Sequence, residues 1–204
     1  DTTDVMVQKR ELERAKIQFR DERNAWQKQN YNTARVEQKL DYLEDCIKNS
    51  STAKLDVKLK ESNSTKTAII CCSDWHIGAC YDNEYGRYNS DIARARISEY
   101  ASKAIMICEV NEVHNVIIAG LGDEISGVIH HSIQVSNREN VIEQVMLASE
   151  LMLAFITEFV KRGFGVTFTN VSGNHSRIAT KNDAIKDERL DDLIGWYCNT
   201  HLKD

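Results

Sequence analysis

The sequence predicts an α/β fold, with a long helix in front of a domain in which short buried strands alternate with helices. Three apolar runs indicate the strands: the first begins at Thr67, the second is Val116–Ala119 and the third is Val166–Val171. Each run is short and bounded by polar residues, which is typical of strands that are buried on both faces. Stretches with helical patterning separate the runs, and this alternation predicts a parallel sheet with right-handed crossovers.

The N-terminal helix is predicted from residues 4–48, which contain neither glycine nor proline. Every seventh residue from Val5 to Ile47 is apolar or aromatic, except for Thr33. The series three residues further on is apolar mainly in its C-terminal half, whereas a strict coiled coil needs both series. Two interpretations remain open, namely self-association, or packing on the following domain or on another segment. The side chains expected to be buried by a partner surface are Leu12, Phe19, Trp26 and Leu40.

The chain is predicted to contain two structural parts that are joined by a linker. Asn49 and the polar residues after it stop the helix, and residues 61–65 have the composition of a linker. We therefore expect a coiled-coil-like arm over residues 1–49, a linker over 50–66 and an α/β domain over 67–204.

Three further helices are predicted in the α/β domain, over about residues 90–112, 137–163 and 183–201. The first of them follows an open loop bearing tyrosines, Tyr81–Tyr88, and has Ser90 as its predicted N-cap. The second is expected to begin at Asn137 or at the residue after it. In the third, we interpret Asp191 and Asp192 as part of a solvated helix face.

The composition points to a protein of a reducing cytoplasm. The net charge is −5, no apolar run approaches the length of a membrane helix, and no signal-peptide pattern begins the chain. The six cysteines have no spacing typical of a disulfide framework or a zinc finger. Cys71, Cys72 and Cys108 fall in apolar segments and are predicted to be buried thiols.

Polar side chains follow each of the three apolar runs. Asp74 and His76 come after the first run, Asp123 after the second, and Asn174 and His175 after the third. Open α/β sheets place their ligands at the carboxyl ends of their strands. Taken singly, these residues also fit ordinary roles as turn residues, helix caps or a hydrogen-bonded imidazole. Their joint occurrence at three successive strand ends favours a shared metal site.

Three short segments, Asp74–His76, Gly122–Asp123 and Gly173–His175, resemble the motifs of the calcineurin-like metallophosphoesterases. The surrounding sequences SDWHIGA, GDEISG and SGNHSR are most similar to the phage-encoded and repair-nuclease branches of that superfamily. The resemblance covers the chain from about Thr67 to its end. It implies a metallophosphoesterase-like sheet with flanking helices, present as a partial domain.

The resemblance also implies a role for each of five residues. Asp123 would bridge two divalent ions, Asp74 and His76 would bind the first ion, and Asn174 would bind the second. His175 would stand over the phosphate as an acid or charge stabiliser, without binding metal. Two ions about 4 Å apart neutralise a phosphodiester, generate hydroxide near neutral pH and hold the attack in line. Mixed carboxylate, amide and imidazole ligands suit Mn²⁺ best, with Mg²⁺ or Fe as alternatives.

Two departures from the family's pattern affect the expected site. The family usually follows Asn-His with an acidic residue, whereas this chain has Ser176 and Arg177. The family also needs later histidines, one isolated and then a Gly-His-x-His, which this sequence lacks. We expect them beyond residue 204 of a longer natural chain. Arg177 and His130 are candidate substrate contacts, as is the neighbouring His131, and His201 is a candidate replacement ligand.

The function that follows is a metal-dependent phosphoesterase, in particular a phage-type DNA nuclease or phosphodiesterase with a two-metal site. A phosphomonoesterase acting on proteins or nucleotides is the alternative within enzymes, because it would share the metal site. The other alternative is a non-catalytic assembly module with a degenerate or truncated site. The expected partners are nucleic acid as substrate and, through the N-terminal helix, a protein or a second copy of the chain. No membrane association is expected, and a phage-encoded protein would act in the cytoplasm of its bacterial host.

Overall fold

The computed structural model describes residues 8–24, 26–27, 64–129, 135–179 and 188–202. The chain divides into two compact units, Asp1–Asn49 and Ser50–Asp204. Where it is described, the second unit is a mixed α/β structure with a parallel three-stranded sheet flanked by helices. This confirms the fold class predicted from the alternation of apolar runs and helical stretches.

In the first unit, residues 8–24 and 26–27 are helical and form helix α1. The predicted N-terminal helix is therefore confirmed over this part of residues 4–48. The apolar side chains of its predicted stripe are exposed: Leu12 by 55%, Phe19 by 68% and Trp26 by 65%. Their burial by a partner surface stays a prediction, and Leu40 lies outside the described residues.

The described strands are β1 (Thr67–Cys72), β2 (Tyr81–Asn83), β3 (Gly86–Tyr88), β4 (Asn115–Gly120) and β5 (Gly165–Asn170). Strands β1, β4 and β5 form the parallel sheet, with β4 in the centre. In its register Cys72 lies beside Gly120, and Gly120 lies beside Asn170. The carboxyl ends of all three strands therefore reach the same edge of the sheet.

Strand β1 is less buried than the sequence predicts. Cys72 is buried, but Cys71 is exposed and Ile69 is 66% exposed. The prediction of burial on both faces is wrong for β1, and Cys71 is not a buried thiol. Successive side chains of a strand point to opposite faces, and β1 lies at an edge of the sheet, where one of those faces is left open. Only the central strand β4 has the expected pattern, because Ile118 and its neighbour Ala119, which lie on opposite faces, are both buried.

Within the described ranges the second unit has three helices of ten residues or more, which are α2 (Ser90–Val110), α3 (Val141–Lys161) and α4 (Asp191–His201). The N-cap of α2 is Asn89, whose side chain accepts a hydrogen bond from the backbone N–H of Ile92. The predicted cap, Ser90, is instead the first helical residue and is buried. Helix α3 begins later than predicted because Asn140 and Glu143 form a capping box there.

Helix α3 joins the layers of the second unit, since it packs against α2, α4 and β5. Its Phe155 and Phe159 are buried, and the Phe159 ring lies 5.9 Å from that of Phe164, next to β5. Large aromatic side chains supply much of the apolar area that a small core can bury. This core fixes the three strands on which the candidate site is built. None of the helices in the described ranges is long and apolar enough to cross a bilayer.

Candidate metal centre

The first two motifs continue to run side by side after their strands end. The backbone N–H of Asp74 donates to the carbonyl of Gly122 at 3.1 Å, and that of His76 donates to the carbonyl of Asp123 at 3.1 Å. Ile77 then pairs with Ile125 in a parallel bridge. These bonds extend the β1–β4 pairing by several residues and hold the Asp74–His76 segment against Asp123.

The backbone of this region is strained at the residues that the sequence singles out. Asp74, His76 and Asp123 have positive φ angles of 56°, 44° and 58°. Among the described residues the other non-glycine residue with positive φ is Glu112, so three of the four lie at the two motifs. Such backbone conformations persist only where the surrounding contacts hold them in place, and they are concentrated at functional sites. The geometry thus favours a functional interpretation of these turns.

The third motif meets the second through two glycines. A Cβ on Gly122 would lie 2.4 Å from the backbone nitrogen of Gly173, and a Cβ on Gly173 would lie 2.0 Å from Oδ1 of Asp123. Any side chain at either position would force the two loops apart. The Gly-Asp and Gly-Asn-His motifs therefore need their glycines for the close approach of backbone to carboxylate.

Two hydrogen bonds fix His175 beside Asp123. The backbone N–H of His175 donates to Oδ1 of Asp123 at 2.8 Å, and its Nδ1 lies 2.8 Å from the carbonyl oxygen of Ser126. A carbonyl only accepts, so Nδ1 carries the proton in this contact. The other ring nitrogen, Nε2, is then left for a ligand. The His175 ring meets that of His76 edge-on, with centroids 4.6 Å apart.

Asp74, His76 and His175 line a cleft of about 450 Å³. Nε2 of His76 lies 3.6 Å from Oδ1 of Asp74. Within the described residues, however, no three His, Cys, Asp or Glu side chains are grouped closely enough to hold a metal ion. The Asp74 side chain is 67% exposed, so it has room to adopt another rotamer when a cation binds.

Asn174 and Arg177 have less direct connections to this cluster. Asn174 is exposed and lies between Gly173 and His175, the two residues of its loop that touch Asp123. The Nε of Arg177 donates to the Asn174 carbonyl at 2.8 Å, which closes this loop on itself. Arg177 therefore has a structural role in the loop, in addition to any contact with substrate.

The candidate histidines outside the motifs divide into two groups. His130 and His131 lie outside the described residues, so their predicted contact with substrate stays a prediction. His201 ends helix α4, where its Nδ1 lies 2.9 Å from the Tyr197 carbonyl and its ring packs on the Tyr197 ring at 4.2 Å. These contacts within its own helix account for His201 without a metal ion.

Asp191 is the site residue that the sequence analysis missed. It is fully buried at the start of α4, and its Oδ2 accepts from the backbone N–H of Gly173 at 2.9 Å and of Asp123 at 3.3 Å. One carboxylate thus ties the second motif to the third. The interpretation of Asp191 as solvated is wrong, whereas Asp192 is exposed as expected. The available signal was helical spacing, because Asp191 shares a face with the buried Ile194 and Cys198.

A second buried carboxyl group, that of Glu124, lies behind the motifs. Burial, followed by the nearby charge of Asp191, raises the pKa of Glu124 to about 8, and burial also raises the pKa of Asp191. Glu124 in turn helps to raise the pKa of Cys72 and of Cys198 to about 12, after burial itself. Burial thus disfavours the negative charges of these two carboxyl groups, and a cation bound nearby would offset that penalty.

Comparisons with known proteins do not assign the chain to a family: no protein-family model matches it, and neither a curated protein nor a solved structure is significantly similar to it.

Proposed function

We propose that this chain is a metal-dependent phosphoesterase that cleaves phosphodiester bonds of nucleic acid, with Mn²⁺ as the preferred ion. The observation that carries the proposal is the contact of all three motifs around Asp123. Its backbone pairs with that of His76, and its carboxylate accepts from His175. The donor types, which are carboxylate, imidazole and amide, are those that bind Mn²⁺ and related ions.

The residues would divide the chemistry between them. Divalent ions held by Asp74, His76, Asp123 and Asn174 would neutralise the phosphate and supply hydroxide near neutral pH. His175 is oriented through Nδ1, which donates to a backbone carbonyl. In the imidazolium form, which carries a second proton on Nε2, the ring would donate that proton to the leaving oxygen or stabilise its charge. One nitrogen of the ring thus positions it and the other acts on the substrate.

The shape of the cleft favours a phosphodiester over a phosphomonoester. The cleft of about 450 Å³ is lined by Tyr81, Tyr88 and Arg96 as well as by His76 and His175, so it offers more space than a terminal phosphate needs. A diester has a second substituent to place in that space.

The absence of a close group of three ligands within the described ranges favours the other alternative, a non-catalytic assembly module.

Hydrolysis assays with the purified chain in Mn²⁺ separate these possibilities. We expect release from bis-p-nitrophenyl phosphate to exceed that from p-nitrophenyl phosphate, and cleavage of single- or double-stranded DNA. Asp123→Asn should abolish turnover, because it removes a carboxylate that would be shared by the ions. Asp21→Asn, at an exposed position of α1, serves as the charge-matched control.

Each other outcome has a definite meaning. Faster hydrolysis of the monoester would identify a phosphomonoesterase instead. Turnover that survives in Asp123→Asn would place the chemistry elsewhere and contradict the proposal. A chain that neither binds Mn²⁺ nor hydrolyses any of the substrates would contradict the proposal and leave the assembly module as the remaining alternative.

A further inference from the structure

The cleft has a second group of lining residues besides the proposed ligands. Tyr81, Tyr88 and Arg96 belong to this group, together with Trp75. The two tyrosines belong to the β2–β3 hairpin, which replaces the open loop that the sequence predicts. An aromatic surface and a cation therefore line the same cleft as the proposed catalytic residues.

The hairpin holds its tyrosines in a fixed stack. Tyr81 and Tyr88 are opposite each other across the two strands, with ring centroids 5.8 Å apart and an interplanar angle of 19°. The Tyr88 hydroxyl donates to the backbone carbonyl of Trp75, so that ring cannot turn freely. The guanidinium carbon of Arg96 lies 5.6 Å from the Tyr88 centroid.

This arrangement leaves Tyr81 as the end member of a stack. One face of its ring is covered by Tyr88, and the side chain is still 47% exposed. A pre-positioned aromatic ring with an open face binds a planar ring at little cost in side-chain entropy. Nothing in the folding of the hairpin itself requires the second face of Tyr81 to stay open.

The charge beside the stack suits an anionic ligand. No carboxylate among the described residues lies within 4.0 Å of the Arg96 guanidinium, whereas Arg87 on the same hairpin pairs with Asp82 at 2.9 Å. A planar guanidinium binds phosphate oxygens in a bidentate manner. An open aromatic face, an arginine without a carboxylate partner in the described ranges and a proposed phosphodiester site together are typical of single-strand nucleic-acid binding.

We propose that the β2–β3 hairpin is a base-stacking wall, on which an unpaired nucleobase next to the scissile phosphate stacks against Tyr81 while Arg96 binds an adjacent phosphate. The inference rests on the proposed function and gives it a substrate class, single-stranded nucleic acid. A paired base would have to leave its duplex to reach the ring, so single strands should bind more tightly than duplexes.

Binding of a fluorescein-labelled oligothymidylate to the full chain, measured by anisotropy in EDTA, tests the stacking wall without any need for turnover. Base–aromatic stacking contributes about 1–3 kcal/mol, so Tyr81→Ala should weaken binding by about 5- to 150-fold. Tyr81→Phe keeps the ring and should bind within about twofold of wild type. Tyr85→Ala is the matched control, because Tyr85 is 90% exposed at the hairpin tip and is not part of the cleft lining.

An abasic oligonucleotide of equal length and charge isolates the contribution of the base. On this probe Tyr81→Ala and wild type should bind equally. Arg96→Gln should lower the slope of log affinity against log salt by about 0.7, the value for one phosphate contact on a single strand. Circular dichroism of each variant checks that the fold is retained.

The outcomes distinguish this inference from the proposed function. Equal affinity of wild type and Tyr81→Ala for oligothymidylate would overturn the stacking wall, even if Mn²⁺-dependent hydrolysis were intact. Loss of affinity in Tyr81→Ala without any hydrolysis by wild type would support the wall and refute the phosphoesterase. Tighter binding of a duplex, or of a phosphotyrosyl peptide, would also overturn the inference.

Discussion

Replacement of Gly173 by alanine is the sharpest test of how the motifs meet. The added Cβ would lie 2.0 Å from Oδ1 and 2.2 Å from the backbone nitrogen of Asp123. Contacts of carbon with such atoms are ordinarily longer than 3.4 Å, so the two loops would have to separate by more than 1 Å. Part of this contact is with backbone, which cannot rotate out of the way.

The separation should affect stability and activity to different extents. Overpacking of this kind costs about 1–3 kcal/mol of folding free energy. The hydrogen bonds that Asp191 receives from Gly173 and Asp123 would be stretched as well. A displacement of about 1 Å in a catalytic group lowers turnover by about 10²-fold. We therefore expect Gly173→Ala to fold with a lower melting temperature and to lose about 10²-fold or more in Mn²⁺-dependent hydrolysis.

Gly195→Ala is the matched control for this substitution. Gly195 lies within α4, and its added Cβ would meet Asn170 Cβ at 3.4 Å, an ordinary contact. Alanine is favoured over glycine in a helix interior by about 1 kcal/mol, so this variant should be as stable as wild type or more stable, with full activity. Thermal unfolding and hydrolysis of both variants provide the comparison. Wild-type stability and activity in Gly173→Ala would refute the close approach of the two loops.

Three further predictions address the proposed acid His175, the buried thiols of Cys72 and Cys198, and helix α1. His175→Ala should still bind Mn²⁺ while turnover falls by roughly 10²–10⁴, the usual contribution of one acid–base group; weaker metal binding would instead make His175 a ligand. Short alkylation at pH 8, followed by mass spectrometry, should modify exposed Cys80 but not Cys72 or Cys198, because thiols with a pKa of about 12 hold almost no thiolate there. Trp26 should be shielded from a soluble quencher once the other tryptophans are replaced, and full quencher access would refute a covered arm.

The convergence of the strand-end residues could be predicted from the sequence, because it follows from the way parallel strands pair. Parallel strands in register bring their carboxyl ends to one edge, so residues placed after three such strands meet there. Asp74, Asp123 and His175 could be located in this way because each directly follows an apolar run. The fold class could also be predicted, because short apolar runs typical of strands alternate with stretches of helical periodicity. This alternation indicates a sheet with helices packed on it.

Other features depend on tertiary contacts that no local pattern contains. Charged residues at the start of a helix are normally solvated, so the burial of Asp191 needed knowledge of which face of α4 meets the site. Tyr81 and Tyr88 read as loop residues because the strands of their hairpin are only three residues long. Cys71 is exposed because β1 is an edge strand. The order of the three strands along the chain does not specify which of them lies at an edge of the sheet.

Calorimetric titration of the metal-free chain with Mn²⁺, side by side with Asp123→Asn, asks whether these strand ends form a metal centre. We predict one tightly bound ion and a second that binds only at the excess of Mn²⁺ used in the hydrolysis assays, because Asp74, His76 and Asp123 supply ligands to the first position while Asn174 and Asp123 alone remain for the second. Asp123→Asn should remove that binding. Saturable binding that is unchanged in Asp123→Asn, or no binding by wild type, would contradict a metal centre at these strand ends.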